Sequence, residues 1–390
     1  MKIILNAFFA ISILTQVLFS QEIINKRVQN IYDSKDQKSK VDSELIRDSW
    51  INPLYIELDY SKSKDIYTSK DIDIKRATIN LEQDIFRSGG IYSTIQKAGF
   101  LEQLNSTYIA KEKKETLSIV YTNTIILKRI DVEIKKLFFD IASKELTIKK
   151  KQQLYEHGLT DISELDESII ELSFLKNLLF DLKSDKLRLI REFKYISDMS
   201  YKSVDLSFLT LFNLEEFLNS SSELKVKKLN KSVVKADKDI VLSSYLPKLS
   251  VFGSYGYNDI SLTTDTDYYH YGVKLTIPLD YNTGKNIETS KLQEHIASLE
   301  LKQTQEYEND FYSYAINKIK NIDGKIKNTN DTIDRYENLY VIVQALYKGA
   351  LRTIDDVKIM QNRLESSRLD LEILELDKKS VLNEIYSRIN

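Results

Sequence analysis

One pattern occurs twice in this chain. Tyr155-Glu156-His157-Gly158-Leu159-Thr160-Asp161-Ile162-Ser163-Glu164-Leu165 is echoed about 192 residues later by Tyr347-Lys348-Gly349-Ala350-Leu351-Arg352-Thr353-Ile354-Asp355-Asp356-Val357. The register then holds without gaps, with Leu172, Leu179, Leu182, Leu189 and Phe193 matched by Leu364, Leu371, Leu374, Val381 and Ile385. Upstream, each copy has an alternating strand that ends in a glycine turn: Arg87-Ser88-Gly89-Gly90 in the first, Asn282-Thr283-Gly284 in the second. A long-period duplication imposes one plan on both halves. Here that plan is strand, glycine turn, very long helix, tip turn and helix back, which is not the plan of an enzyme domain.

The long helices follow from what is missing. Only Pro53, Pro247 and Pro278 interrupt the chain, so Leu54 to Leu246 and Leu279 to Asn390 are proline-free. Proline costs about 3 kcal/mol in a helix interior, and these stretches are rich in Lys, Glu, Leu and Ile. Lysines alternate with acids rather than clustering, and the net charge is −2. That reads as solvated helix faces and excludes an electrostatic case for nucleic acid.

The first 20 residues read as a secretory signal peptide. Lys2 gives the positive start, Ile3 to Leu18 is an apolar run broken only by Asn6, Ser12, Thr15 and Gln16, and Ser20-Gln21 is the cleavage junction. The alternative, a retained membrane anchor, is opposed by the short run. No later stretch approaches 18 apolar residues. There are no cysteines, which excludes a lipid-anchored cysteine, a disulfide or a thiolate metal site. Any membrane this chain crosses must therefore be crossed by strands.

The first repeat spans residues 21–196. Gln21 to Asp48 reads as a polar helix. A strand pair occupies about 50–88: Leu54, Ile56, Leu58 and Tyr60 alternate with Tyr55, Glu57 and Asp59, and Ile79, Leu81 and Ile85 with Asn80, Glu82 and Asp84. Ser61 to Lys75 reads as a polar loop. A helical hairpin follows over about 90–196, its first arm near 65 residues and roughly 100 Å long at 1.5 Å per residue. Residues 197–222 read as an irregular insertion. The second repeat spans 223–390, with a helix from Glu223 to Ser244, a strand pair at about 247–281 and a hairpin at about 285–390. Leu249, Val251, Tyr255 and Tyr257 oppose Ser250, Ser254 and Gly256, and Tyr271, Val273, Leu275 and Ile277 oppose Gly272, Lys274 and Thr276, with Asn258 to Asp267 as the loop between them.

Four strands of about ten residues, apolar on one side and polar on the other, match outer-membrane barrel strands. Trp50, Tyr60, Tyr257, Tyr268, Tyr269, Tyr271 and Tyr281 lie near their ends, as lipid–water girdles do. Four strands cannot close a barrel, and open edges are not tolerated in hydrocarbon, so the strands must pair with other copies. The alternative is a small soluble sheet packed on helices. The helices themselves carry narrow stripes that pack against neighbouring helices: Ile333, Tyr336, Tyr340, Val343 and Tyr347, and Tyr312, Ile316, Ile319, Ile322 and Ile326.

At this point the residues resemble a family. Tyr245-Leu246-Pro247-Lys248-Leu249 resembles its Leu-Pro start to a strand, Leu275-Thr276-Ile277-Pro278-Leu279 its strand ending in Ile-Pro-Leu, and Tyr347 to Val357 its tip motif. In order and duplicated, they resemble the TolC-type outer-membrane efflux proteins over nearly the whole chain after the signal. The resemblance implies a mainly α fold with a small membrane β part. It also implies a homotrimer whose twelve-stranded β-barrel joins a twelve-helix periplasmic tunnel. The implied activity is passive export, as the exit duct of a tripartite efflux or type I secretion system. The implied partners are a periplasmic adaptor, an inner-membrane pump and outer-membrane lipid. There are departures. The leading helix is short for the family. The tip glycine falls at Gly349, leaving Ala350 opposite Gly158. Ile359 stands where a second tip acid is common, so an acidic ring would rest on Asp356 with Asp355.

No catalytic constellation is visible, and no cofactor or metal site is expected. His157, His270 and His295 lie on different elements, and none of the nucleophile or phosphate-cradle motifs is present. Two constellations remain. At the tip, Arg352 and Asp356 stand at i, i+4. They read as an ordinary helix pair or, by resemblance, as an Arg352 bond to a neighbour beside an Asp356 ring. Tyr347, Thr353, Asp355, Tyr155, Gly158 and Asp161 complete this aperture set. The barrel lumen set is Glu57, Asp59, Asn80, Glu82, Asp84, Lys274 and Thr276, and the lipid-facing set is Ile79, Leu81, Val251, Val273 and Leu275. The competing reading of the chain is a periplasmic coiled-coil adaptor or interaction protein with no pore. The duplicated strand pairs discriminate against it.

Overall fold

The computed structural model describes residues 23–64, 71–260 and 266–389; the signal-peptide reading lies outside them. In chain order the elements are α1 (Lys26–Asp48), β1 (Tyr55–Lys64), β2 (Asp71–Phe86), α2 (Gly90–Glu156), α3 (Ile162–Ile196), α4 (Leu214–Ser220), α5 (Ser222–Ser244), β3 (Lys248–Ile260), β4 (Thr266–Thr276), α6 (Thr283–Lys348) and α7 (Ile354–Tyr386). Among the described residues, no helix is long and apolar enough to cross a membrane. The chain divides into two compact units.

One unit comprises Asp33–Ile109 and Ser222–Glu306 and contains the sheet. The four strands are antiparallel in the order β1-β2-β3-β4, so β1 and β4 are open edges. In both polar stretches read as loops, the described residues are strand. Lys62 pairs with Asp73 and Tyr60 with Lys75 across β1–β2, while Asn258 pairs with Thr266 and Tyr257 with Asp267 across β3–β4. Cross-strand partners such as Tyr60 and Asp73, whose hydroxyl and carboxylate lie 3.1 Å apart, outweigh a composition that favours loop. The helices of this unit meet over Leu104, Val226 and Val233. Lys227–Glu300 and Lys238–Glu294 pairs, each 2.8 Å, flank them.

The other unit comprises Met1–Tyr32, Ala110–Ser221 and Tyr307–Asn390. Its core is apolar, with Val120, Leu127, Phe217 and Ile385 wholly enclosed. The rings of Tyr121, Phe208 and Tyr386 meet at 5.0–6.0 Å. Such pairs contribute about 0.5–1.5 kcal/mol beyond burial. Ile319, Ile322 and Ile333 of the expected stripes are buried, and Tyr336, Tyr340 and Val343 half-buried. The stretch read as irregular contains α4. Asn213 and Glu216 close a capping box at its start, and Asn-x-x-Glu ahead of apolar residues is a signal that composition obscures.

Long-range polar pairs tie α2 to α7 in this unit. Lys150 bonds Asp356, Ser366 bonds Asp140, Lys136 bonds Asp370, Arg129 bonds Asp377 and Asn383 bonds Thr122. Each step up α2 is met by a nearly equal step along α7, as antiparallel helices in one register require. Asn383 is buried and donates to the Ser118 carbonyl at 3.0 Å as well. That satisfies the nitrogen of an amide that would be costly to bury unpaired, while its Oδ1 is buried without a partner.

Candidate pore-lining faces and hairpin tips

Register decides which strand residues share a face, because directly opposite residues of antiparallel strands point the same way. Ile56, Ile79, Tyr255 and Tyr269 form one row across the sheet; Leu81, Gly253 and Tyr271 form the next; Val251 with Val273 and Leu249 with Leu275 continue it. All five residues of the expected lipid-facing set therefore lie on one face. Opposite them run Tyr55, Asn80, Ser254 and His270, then Glu82, Phe252 and Gly272, then Ser250 with Lys274 and Lys248 with Thr276. The expected lumen set occupies this second face. The apolar face is open: Leu58 is 79% exposed and Tyr271 77%. An isolated chain leaves this much contiguous apolar surface uncovered only where something else covers it.

The polar face departs from its sequence reading in three ways. Asp84 shares it but is buried. Its carboxylate accepts from Ser250 and Arg87 and lies 3.7 Å from the Lys248 ammonium. It is a fastening at the base of the sheet and not a free wall carboxylate, because the Arg87 and Lys248 charges satisfy it locally. Lys274 neutralises Glu82 at 3.1 Å, and Asn80 donates to Glu57 at 3.4 Å. Tyr268, read as part of an outer aromatic girdle, lies here instead, its ring over Gly256, where a Cβ would fall 2.6 Å from it. Phe252 similarly covers Gly272 and stands 4.9 Å from the His270 ring. Tyr268 and His270 share the parity of Lys274, which is the signal that would have added them to the lumen set.

The tips rest on two matching turns. In the first, Gly158 and Leu159 donate to the carbonyls of Tyr155 and Leu154, each at 2.8 Å. In the second, Ala350 and Leu351 donate to Tyr347 and Leu346 at 2.9 and 2.8 Å. Gly158 has φ 69° and Ala350 φ 59°. The second tip thus keeps the geometry of the first with alanine in a left-handed conformation, which costs about 1–2 kcal/mol outside glycine. Asp161 is the N-cap of α3 and accepts from the Ser163 N–H at 3.0 Å. That bond holds its carboxyl below the usual range.

Thr353 caps α7, and Asp356 closes the box. The Thr353 N–H reaches Asp356 Oδ2 at 3.0 Å, and the Asp356 N–H reaches Thr353 Oγ1 at 3.2 Å. Lys150 Nζ donates to Asp356 Oδ1 at 2.8 Å, and Lys149 Nζ to Asp355 Oδ2 at 3.1 Å. Burial opposes ionisation of Asp356, yet the Lys150 ammonium and the Thr353 N–H and hydroxyl hold its carboxyl down to about 2. The i, i+4 pair of Arg352 with Asp356 is not formed. Arg352 is exposed, while the capping box turns the carboxylate inward onto Lys150. Tyr155 and Tyr347 end their helices about half exposed. Lys149 and Lys150 were missed because nothing local links them to residues about 206 positions away.

No family model matches the sequence, and no curated protein matches it. Solved structures do. The outer membrane protein VceC from Vibrio cholerae superposes with a TM-score of 0.75 over 93% of each chain, at 12% identity. The Campylobacter jejuni CmeC outer membrane channel gives 0.73 over 94% of this chain and 84% of that one, at 15% identity. The open-state Neisseria gonorrhoeae MtrE outer membrane channel gives 0.71 over 95% and 91%, at 10% identity. The fold is that of the TolC-type outer-membrane channels.

Proposed function

We propose that this chain is an outer-membrane exit duct, a transport protein and not an enzyme. Three copies close a twelve-stranded barrel through the open edges of β1 and β4. Their helices form a twelve-helix periplasmic tunnel. Substrates pass without chemistry, driven by an inner-membrane pump that a periplasmic adaptor joins to the hairpin tips. The observation that carries this reading is the sheet: one face mainly apolar and much of it exposed, the other mainly polar, both edges unpaired. Backbone groups on such edges cost several kcal/mol each in hydrocarbon unless another chain pairs with them. Asp356 and Asp355 are held to α2 by Lys150 and Lys149, which on this reading fastens α7 at the aperture. Membrane fractionation and oligomer size in detergent test the proposal. A detergent-stable trimer in the outer-membrane fraction is expected, and a water-soluble monodisperse monomer overturns it.

A further inference from the structure

On the polar face of the sheet, Phe252 stands directly opposite Gly272 and Tyr268 directly opposite Gly256, with Ser254 and His270 as the pair between them. Each ring reaches across to its glycine. A Cβ at 272 would fall 2.9 Å from the end of the Phe252 ring, and one at 256 would fall 2.6 Å from the end of the Tyr268 ring. A ring whose far end covers the opposite strand reclines along the wall, one side on the sheet and the other turned outward. Such a ring fills the gap at a strand glycine, which stabilises the sheet; the charges beside the rings have no part in that role. Tyr268 and His270 are exposed and Phe252 is half-buried. Next to them lies an open groove of about 710 Å³, lined by Tyr55, Asn80, Glu82, Phe252, His270 and Lys274. Lys274 is paired with Glu82 at 3.1 Å. Glu57 accepts from the Asn80 amide at 3.4 Å, and no ion pair to it is formed among the described residues. Glu57 lies in one cross-strand row with Thr78, Gly256 and Tyr268.

We infer that this stretch of wall is a binding site for planar organic cations in transit through the barrel. The aromatic part of the cargo rests on the reclined rings of Tyr268 and Phe252, and its charge meets the Glu57 carboxylate. The inference rests on the reading that the polar face lines the pore. Charge selects the class of ligand. On this face Glu57, Asp59 and Glu82 outnumber Arg76 and Lys274, while Asp84 is enclosed with Arg87 and Lys248. The surplus carboxylate favours a cation over an anion, and the faces of aromatic rings favour a cation over a neutral ring. Spacing agrees with this. Glu57 and Gly256 are two strand separations apart, about 10 Å, which an extended glutamate side chain and half of a fused tricyclic ring cover together. Each contact is weak and open to water, as passage requires, because cargo held in a pore must also leave it.

Proflavine, a planar tricyclic cation, is the probe, and fluorescein, a planar anion of similar size, is the comparator. Each is titrated against the full-length protein in phosphatidylcholine nanodiscs and followed by fluorescence anisotropy, with empty nanodiscs as the blank. Saturable binding of proflavine and none of fluorescein is expected. Glu57→Gln and Tyr268→Leu should each weaken proflavine binding by about tenfold, and Tyr268→Phe, which keeps the ring, should retain it. Fluorescein bound as tightly as proflavine overturns the assignment, and so does proflavine binding unchanged in Glu57→Gln and in Tyr268→Leu. Glu57 is exposed, so its variant reads the site even should a ring variant fail to fold. Single-channel recording in planar bilayers separates this inference from the one beneath it. A conducting pore whose current proflavine does not impede rejects only the site, while a protein that forms no pore rejects the duct reading itself.

Discussion

Lys150 donates to Asp356 at 2.8 Å across 206 residues of sequence, joining the end of one hairpin arm to the start of another. The same carboxylate closes the capping box of Thr353. Losing a cap costs about 0.5–2 kcal/mol. Asp356→Asn is therefore expected to speed amide exchange through the first turn of α7 with little effect on the distant core. Because its folded carboxyl sits near 2, below its value of about 3.8–3.9 in an unfolded chain, the contribution is full above pH 4. It is lost as pH falls from 4 to 2. Protection factors, which divide out the intrinsic pH dependence of amide exchange, should fall across that window in the native chain and change less in Asp356→Asn. On the duct reading, Lys149→Ala with Lys150→Ala should raise single-channel conductance in planar bilayers.

Ala350 and Gly158 make a matched pair of tests, since both hold φ near 60–70°. Nothing lies within 4 Å of a Cβ added at Gly158, so the cost of Gly158→Ala is that of the backbone alone. Ala350→Gly should stabilise its tip, and Gly158→Ala should destabilise the other, each by about 1 kcal/mol. Exchange of the Leu159 and Leu351 amides, which close the two turns, measures both. Equal exchange in all variants would refute the strain assigned to Ala350.

Single cysteines separate the sheet faces cleanly in a chain that has none. Water-soluble thiol reagents are expected to modify Asn80, Glu82, Lys274 and Thr276 positions and to leave Ile79, Leu81, Val251, Val273 and Leu275 positions unmodified in the membrane. Equal labelling of both sets would refute the assignment of lumen and lipid faces.

Lys114 gives a pH dependence of opposite sign. It is half-buried with its ammonium 3.4 Å from the centre of the Tyr386 ring, and burial lowers its pKa to about 8. Burial also pushes Tyr386 up to about 12, so that ring stays neutral below that pH. Between pH 8 and 10.5 the unfolded chain holds the Lys114 proton more firmly than the folded one, so stability should rise with pH across that window. Lys114→Met should raise the midpoint of chemical unfolding at pH 7, by on the order of 1 kcal/mol, and remove the slope. An unchanged slope would show that the lysine is hydrated in the folded protein.

The sequence by itself determined the repeat, the long proline-free helices, the two-faced strands and the tip turns at Gly158 and near Tyr347. All of these follow from local periodicity or local backbone preference, which a short window of residues expresses. Tertiary structure decided the rest. It lengthened β1 to β4 through polar stretches by cross-strand pairing. It made Asp84 a buried fastening by bringing Ser250, Arg87 and Lys248 to it, and turned Tyr268 onto Gly256. It held Ala350 left-handed in a turn that copies Gly158. It also gave Asp356 to Lys150 rather than to Arg352. Each of these depends on which residues meet after the chain has folded, and an energy shared between groups up to about 200 positions apart leaves no mark on the spacing around either one.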